Sequence, residues 1–233
     1  MKYLTLLLII FFGTQISSAQ INEFGIFVGG SNFIGDVGAT DYIAPKQLAF
    51  GAIYKWNRSK RHSYRISLTF TELEGDDNDS DDPSRQIRDY KFNNNILELS
   101  AGMEFTFFDF DLHNGGTVST PYLYSGISVA KHDNFFFNPD GTGAIVDEET
   151  TNYAFGIPMV LGYKVAVSTD FILALEIGAR YTFSDKLDGS VSDYGGADAS
   201  VSFGNTNNND WYTFTGITLT YTFGRNPCFC PGG

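Results

Sequence analysis

The chain has little of what most functional classes require. It holds two cysteines in 233 residues, both in the closing stretch "GITLTYTFGRNPCFCPGG", so it is not a small disulfide scaffold. It has three histidines, no G-x-S-x-G and no metal-ligand spacing, which leaves few ingredients for a nucleophile, a base or a metal centre. Basic residues are scarce, 15 against 27 acidic, and a net charge of −12 argues against nucleic acid or an anionic surface as a partner. Past the first residues no apolar run reaches the ~20 residues that a membrane helix needs.

What is present begins with "MKYLTLLLIIFFGTQISSAQ". Lys2, an apolar run from Leu4 to Phe12 and the small residues Ser17, Ser18 and Ala19 form a secretory signal peptide, residues 1–19, cleaved before Gln20. The competing reading, a membrane anchor, fails on the length of the run. No lipobox cysteine accompanies it, which argues against a lipid anchor. The remaining chain suits one barrel or sandwich domain. Its 22 Phe, 13 Tyr and 25 Gly are a β composition.

Period two recurs eight times. In "FILALEIGARYTFS", Phe171, Leu173, Leu175, Ile177, Ala179, Tyr181 and Phe183 share one face; Ile172, Ala174, Glu176, Gly178, Arg180 and Thr182 share the other. A helix would mix these sets, so the segment is a strand. Similar segments carry Phe24–Val28, Leu48–Trp56, Tyr64–Phe70, Leu97–Phe105, Leu123–Val129, Tyr153–Tyr163 and Ile217–Phe223. The connections alternate between short ("NRSKRH", 108–119, "STD") and long (30–46, 74–91, 132–152, 184–210). Short turns at one end and long loops at the other are the pattern of an up-and-down outer-membrane barrel.

A soluble barrel would point its apolar face inward. Here the polar face carries Lys55, Arg65, Glu98, Glu104, Lys164, Glu176 and Arg180, together with much Gly, Ser and Thr. The apolar face is bracketed by aromatics: Trp56, Tyr64, Phe105, Phe171 and Phe223 at the short-turn ends, and Phe70, Phe92, Phe155, Tyr181 and Trp211 toward the other. Such a wall in water would be a large exposed apolar patch, whereas lipid accepts it. The expected fold is therefore all-β: an eight-stranded antiparallel up-and-down transmembrane barrel over residues 20–223 in the cell outer membrane. Both termini would be periplasmic, with residues 224–233 a cysteine-containing periplasmic tail. Eight strands leave room only for side chains, so the seven charges should pair and close the lumen. As structural ion pairs they are preferred to a proton path or an active site.

The long loops carry net charges of −1, −4, −5 and −4, so the outward surface is acidic. The turn "NRSKRH" carries +3 through Arg58, Lys60 and Arg61, a candidate docking patch for a periplasmic partner or a merely solvated cluster. In "GDDNDSDDPS", Asp77, Asp79 and Asp81 begin a calcium-loop spacing, but no Gly follows at the sixth position and Arg88 stands where a bidentate Glu belongs. The expectation is a solvated acidic loop, with weak binding of a divalent ion as the alternative and no dedicated metal site or cofactor. His132, beside Asp133, is four residues from Ser128, roughly 13 Å along a strand, too far for a catalytic pair. Enzymatic action on lipid is therefore a minor reading. Cys228 and Cys230 would close a strained ring with each other, or one of them would bond a partner in the oxidising periplasm.

The stretches "QINEFGIFVGGSNFIGDVG" and "AIYKWNRSKRHSYRISLTFTELEGDD" resemble the PorG-like outer-membrane proteins of the Bacteroidota type IX secretion system. The resemblance runs from Gln20 to about Phe223 and is densest in the first three strands. It implies an eight-stranded, non-enzymatic barrel that anchors or organises the periplasmic ring of the secretion and gliding machinery. It carries over no active-site residue. The alternative partner is an external ligand bound by the acidic loops.

Overall fold

A computed structural model of the chain describes residues 22–111, 118–137, 145–191, 203 and 208–224. The signal-peptide segment 1–19 and Cys228 and Cys230 lie outside the described residues. Eight strands form in chain order: β1 (Asn22–Ile34), β2 (Gln47–Asn57), β3 (His62–Asp76), β4 (Lys91–Thr106), β5 (Ser119–Phe137), β6 (Ile145–Ala166), β7 (Phe171–Thr182) and β8 (Trp211–Phe223). Each pairs antiparallel with the next, and β8 returns to β1 from Asn22↔Phe223 to Ile34↔Trp211, which closes the ring. Closure leaves no open edge where the strands pair on both sides, the condition a sheet must meet to span lipid.

The period-two pattern translates directly into inside and outside. Along β3, from His62, burial alternates strictly up to Thr71, and β4 alternates from Lys91 to Ala101. The apolar set faces out: Leu175 is 61% exposed and Phe155 64%. The charged set faces in: Lys55 is 1% exposed and Glu104 0%. This polarity is the reverse of a soluble barrel and defines a transmembrane-type barrel, whose outer wall is stabilised only in an apolar medium.

Three expectations need correction. Phe92 does not belong to the outer aromatic belt. It has the parity of Glu98, points inward and is 2% exposed, packed edge-on against Phe33 with ring centroids 5.0 Å apart. The third long connection is mostly strand, since β5 runs to Phe137 and β6 starts at Ile145. The second is folded as well. A 3-10 turn at Asp77–Asp79 leads into a short helix, α1 (Pro83–Arg88), capped by the Asp82 side chain on the Ser84 N–H and begun by Pro83 at a position where its missing N–H costs nothing.

Two different interiors are stacked in the barrel. Toward the short-turn end the lumen is polar. Toward the long-loop end it is an aromatic core of Phe27, Phe33, Phe92, Phe135, Tyr212 and Phe214, with Val37 and Leu187 supplied by loops 1 and 4. The barrel is thus closed by side chains below and by folded loops above.

Candidate functional site

The polar lumen is built from ties that cross the ring. Lys55 on β2 and Lys164 on β6 both reach Glu104 on β4, at 2.7 and 2.6 Å. Arg65 on β3 binds Glu176 on β7 with two parallel N–H···O bonds of 2.7 and 3.0 Å. Arg180 on β7 reaches Glu98 on β4 at 3.2 Å. All seven inward charges named from the sequence pattern are brought together in these four pairs. Reasoning from the sequence missed an eighth, Glu23. It is buried at the short-turn end and accepts from Asn57 Nδ2 (2.7 Å) and Thr220 Oγ1 (3.0 Å). With it the described strand residues hold four buried cations, Lys55, Arg65, Lys164 and Arg180, against four buried anions, Glu23, Glu98, Glu104 and Glu176, a balanced set. Its signal was available, because Glu23 has inward parity in β1.

Tyrosines finish the network. Tyr122 donates to Glu176, and Tyr212 donates to Glu98 at 2.5 Å. The Arg65 guanidinium lies over the Tyr124 ring at 4.8 Å and the Arg180 guanidinium over Phe214 at 4.4 Å. Buried charges of this kind persist only when their remaining lone pairs and protons find partners, and here phenols and rings supply them. Gly162 is what admits Tyr122. A Cβ there would stand 2.3 Å from the phenol's ring carbon. At the short-turn mouth the Phe110 ring sits under the Lys164 ammonium at 4.7 Å and covers it. A small cavity in the lumen is lined by Arg65, Glu176, Arg180, Phe27 and Phe214. One buried Arg65 N–H, at Nε, meets no acceptor among the described residues, which suits a single trapped water.

The docking patch is less basic than its sequence suggests. Lys60 pairs with Asp111 at 3.0 Å and Arg61 with Asp109 at 2.5 Å, both acids coming from the next short turn. Arg58 is exposed, and no ion pair to its side chain is found among the described residues. The local +3 is therefore largely cancelled in space, because the acids are about fifty positions away in the chain.

The second loop is not simply solvated. Asp77 is fully buried. It accepts from Arg88 at Nε (2.6 Å) and Nη2 (2.7 Å), from the Gly38 N–H (3.1 Å) and from the Tyr90 N–H (3.2 Å). Arg85 and Arg88 also bond the backbone carbonyls of Gly38 and Asp36, both at distances below 2.9 Å, so loops 1 and 2 are sewn together. Asp76 pairs with Lys91, and Asp79 with Lys46. The arginine that breaks the calcium-loop spacing is thus the residue that neutralises its first carboxylate. Among the described residues no group of three or more His, Cys, Asp or Glu is arranged to hold a metal ion.

His132 and Ser128 are both buried in β5. Register sets His132 opposite Ile96 and Asn152, and Ser128 opposite Ser100 and Gly156. His132 Nδ1 lies 2.9 Å from the Asp133 carbonyl oxygen. The two side chains occupy different levels of the wall.

The geometry defines a sealed eight-stranded transmembrane barrel with a charge-balanced lumen. By sequence the chain belongs to the family described as Domain of unknown function (DUF6089), matched over residues 1–232. Among curated proteins nothing matches. Solved structures of similar outline include Ail, the attachment invasion locus protein of Yersinia pestis (10% identity, TM-score 0.45, covering 88% of this chain and 99% of that one). Neisserial surface protein A is another (10%, 0.41, 88% and 96%), as is OprG from Pseudomonas aeruginosa (8%, 0.42, 89% and 97%). At these identities and scores no function carries across.

Proposed function

We propose that this protein is a non-enzymatic barrel of the cell outer membrane that anchors or organises a periplasmic assembly, with both termini on the periplasmic side. The observation that carries the reading is the closed lumen. A bore filled by four ion pairs and capped by Phe110 below and loops 1, 2 and 4 above passes nothing, so the work is done at an end of the barrel. Outer-membrane lipid is the medium its wall requires. The sequence resemblance supports the periplasmic ring of the type IX secretion and gliding machinery of Bacteroidota as the assembly. Arg58, Lys60 and Arg61, with the paired acids Asp109 and Asp111, would form a mixed-charge docking edge on that side. Cys228 and Cys230 would follow at the end of β8, and at least one of them forms a mixed disulfide with a ring protein. The acidic outer loops support an external ligand less well, because Asp76, Asp77 and Asp79 are spent on Lys91, Arg88 and Lys46.

The test is recovery of the tagged full-length protein from detergent-solubilised membranes, with thiols blocked at lysis. Ring proteins should co-purify, and a higher band on a non-reducing gel should collapse with reductant and vanish in Cys228→Ser or Cys230→Ser. Planar-bilayer recordings should show no stable large conductance. A reproducible wide-pore current would overturn the sealed-anchor reading. A lone monomer band would remove the tether, and the absence of ring proteins from the eluate would remove the assembly.

A further inference from the structure

Loop 4 inserts Leu187 into the aromatic core of the long-loop end, where the side chain is fully buried. The insert is clamped from several elements. The Leu187 N–H donates to Asp210 Oδ2 at 2.9 Å, its carbonyl accepts from Asn94 Nδ2 at 2.8 Å, and the Tyr90 hydroxyl donates to the Asp188 carbonyl at 2.9 Å. Gly189 follows at φ 72°, tight against the Phe135 ring and the Tyr90 oxygen, a place and a conformation that suit only glycine.

This close-fitting insert is flanked by carboxyl groups. Asp188 and Asp210 are buried, and Asp185 is half-buried beside them. One Asp188 oxygen accepts from the Ser190 N–H at 2.9 Å. The other Asp188 oxygen and Asp185 Oδ2 are buried with no hydrogen-bond donor among the described residues. Asp36 faces the same group from loop 1. Of the other ionisable groups packed around the insert, Tyr90 is turned to a backbone carbonyl and Arg88 is committed to Asp77, and the charges that act on Asp185 are the neighbouring carboxyls Asp188 and Asp36.

We propose that residues 185–190 are a pH-operated latch. With Asp185 and Asp188 protonated, Leu187 is held in the core. With them ionised, repulsion among Asp185, Asp188, Asp210 and Asp36 releases the insert and uncovers its aromatic seat. Burial, reinforced by the neighbouring acids, raises Asp185 to about 7 and Asp188 to about 6, and it raises Asp210 well above the usual carboxylate range. The sign follows from proton linkage. Groups whose pKa is raised in the closed form bind protons more tightly there, so closure is strongest at acidic pH and weakens as pH climbs from the ordinary carboxylate value of ~4 through about 7.

Hydrogen–deuterium exchange on the full-length protein in lipid discs tests this. After correction for intrinsic rates, protection of residues 184–190 should fall about tenfold or more between about pH 5.5 and 8.5, while β7 keeps its protection. In Asp185→Asn with Asp188→Asn, protection should stay high at both pH values. Protection that is independent of pH in the unmodified protein overturns the latch, as does the same pH dependence in the double variant. Should that variant fail to fold, infrared spectra of the unmodified protein decide: at about pH 6 they should contain a protonated carboxyl band that disappears by about pH 8.5, and its absence at pH 6 overturns the proposal.

Discussion

Arg65 and Glu176 lie 111 residues apart in the chain and face each other across the full width of the barrel, joined by two bonds. β3 and β7 are four places apart in a ring of eight, so this pair is a diametric strut. Neither partner can be lost alone without stranding the other in a dry interior. Glu176→Ala or Arg65→Ala should each cost ~3–5 kcal/mol of unfolding free energy. Replacing both with Met should recover more than half of that loss, because no orphaned charge is left. Urea unfolding in lipid vesicles, followed by fluorescence of Trp56 and Trp211, measures it. A single-variant loss below about 1 kcal/mol would show that the strut contributes no more than a surface pair.

Arg88→Ala should unstitch loops 1 and 2 while leaving the barrel intact. It removes the two bonds that neutralise the buried Asp77 and the one that fixes the Asp36 carbonyl. Exchange protection should drop in residues 36–46 and 77–90 but persist in β3 and β4, and the protein should still shift on an unheated gel. Millimolar calcium should change nothing in the unmodified protein, since Arg88 already serves Asp77. A calcium-dependent gain in loop 2 protection would restore the ion-binding reading.

Reversing Arg58, Lys60 and Arg61 to Glu should weaken recovery of periplasmic partners while the barrel remains folded. The structure adds a finer expectation. Arg58→Glu alone should have most of the effect, because Lys60 and Arg61 are held by Asp111 and Asp109. Equal recovery of partners by all variants would mark the turn as a solvated feature only.

The period-two pattern determined the eight strands, their inward and outward faces and the alternation of short and long connections, because side-chain direction in a strand is a local property of the backbone. It also named seven of the eight lumen charges, all but Glu23. Phe92 shares the parity of Glu98, so the same alternation places it inside, and aromatic character alone does not assign a residue to the outer belt. Folding of the loops was not legible in the same way. An acidic stretch such as "GDDNDSDDPS" has the composition of a solvated segment, and nothing local says that Asp77 will be buried against Arg88.

By itself, then, the sequence determined a barrel with an apolar outside and a charged inside, since each residue's side of the wall depends only on its place in the alternation. Only the tertiary structure decided which charge meets which, that Glu23 completes the balance, that two short turns largely cancel each other's charge, and that loop 4 brings buried carboxyl groups against the core. Those outcomes depend on which strands stand opposite one another and on how far the loops reach back. Closure of the ring sets that geometry, joining residues that are between about fifty and more than a hundred positions apart.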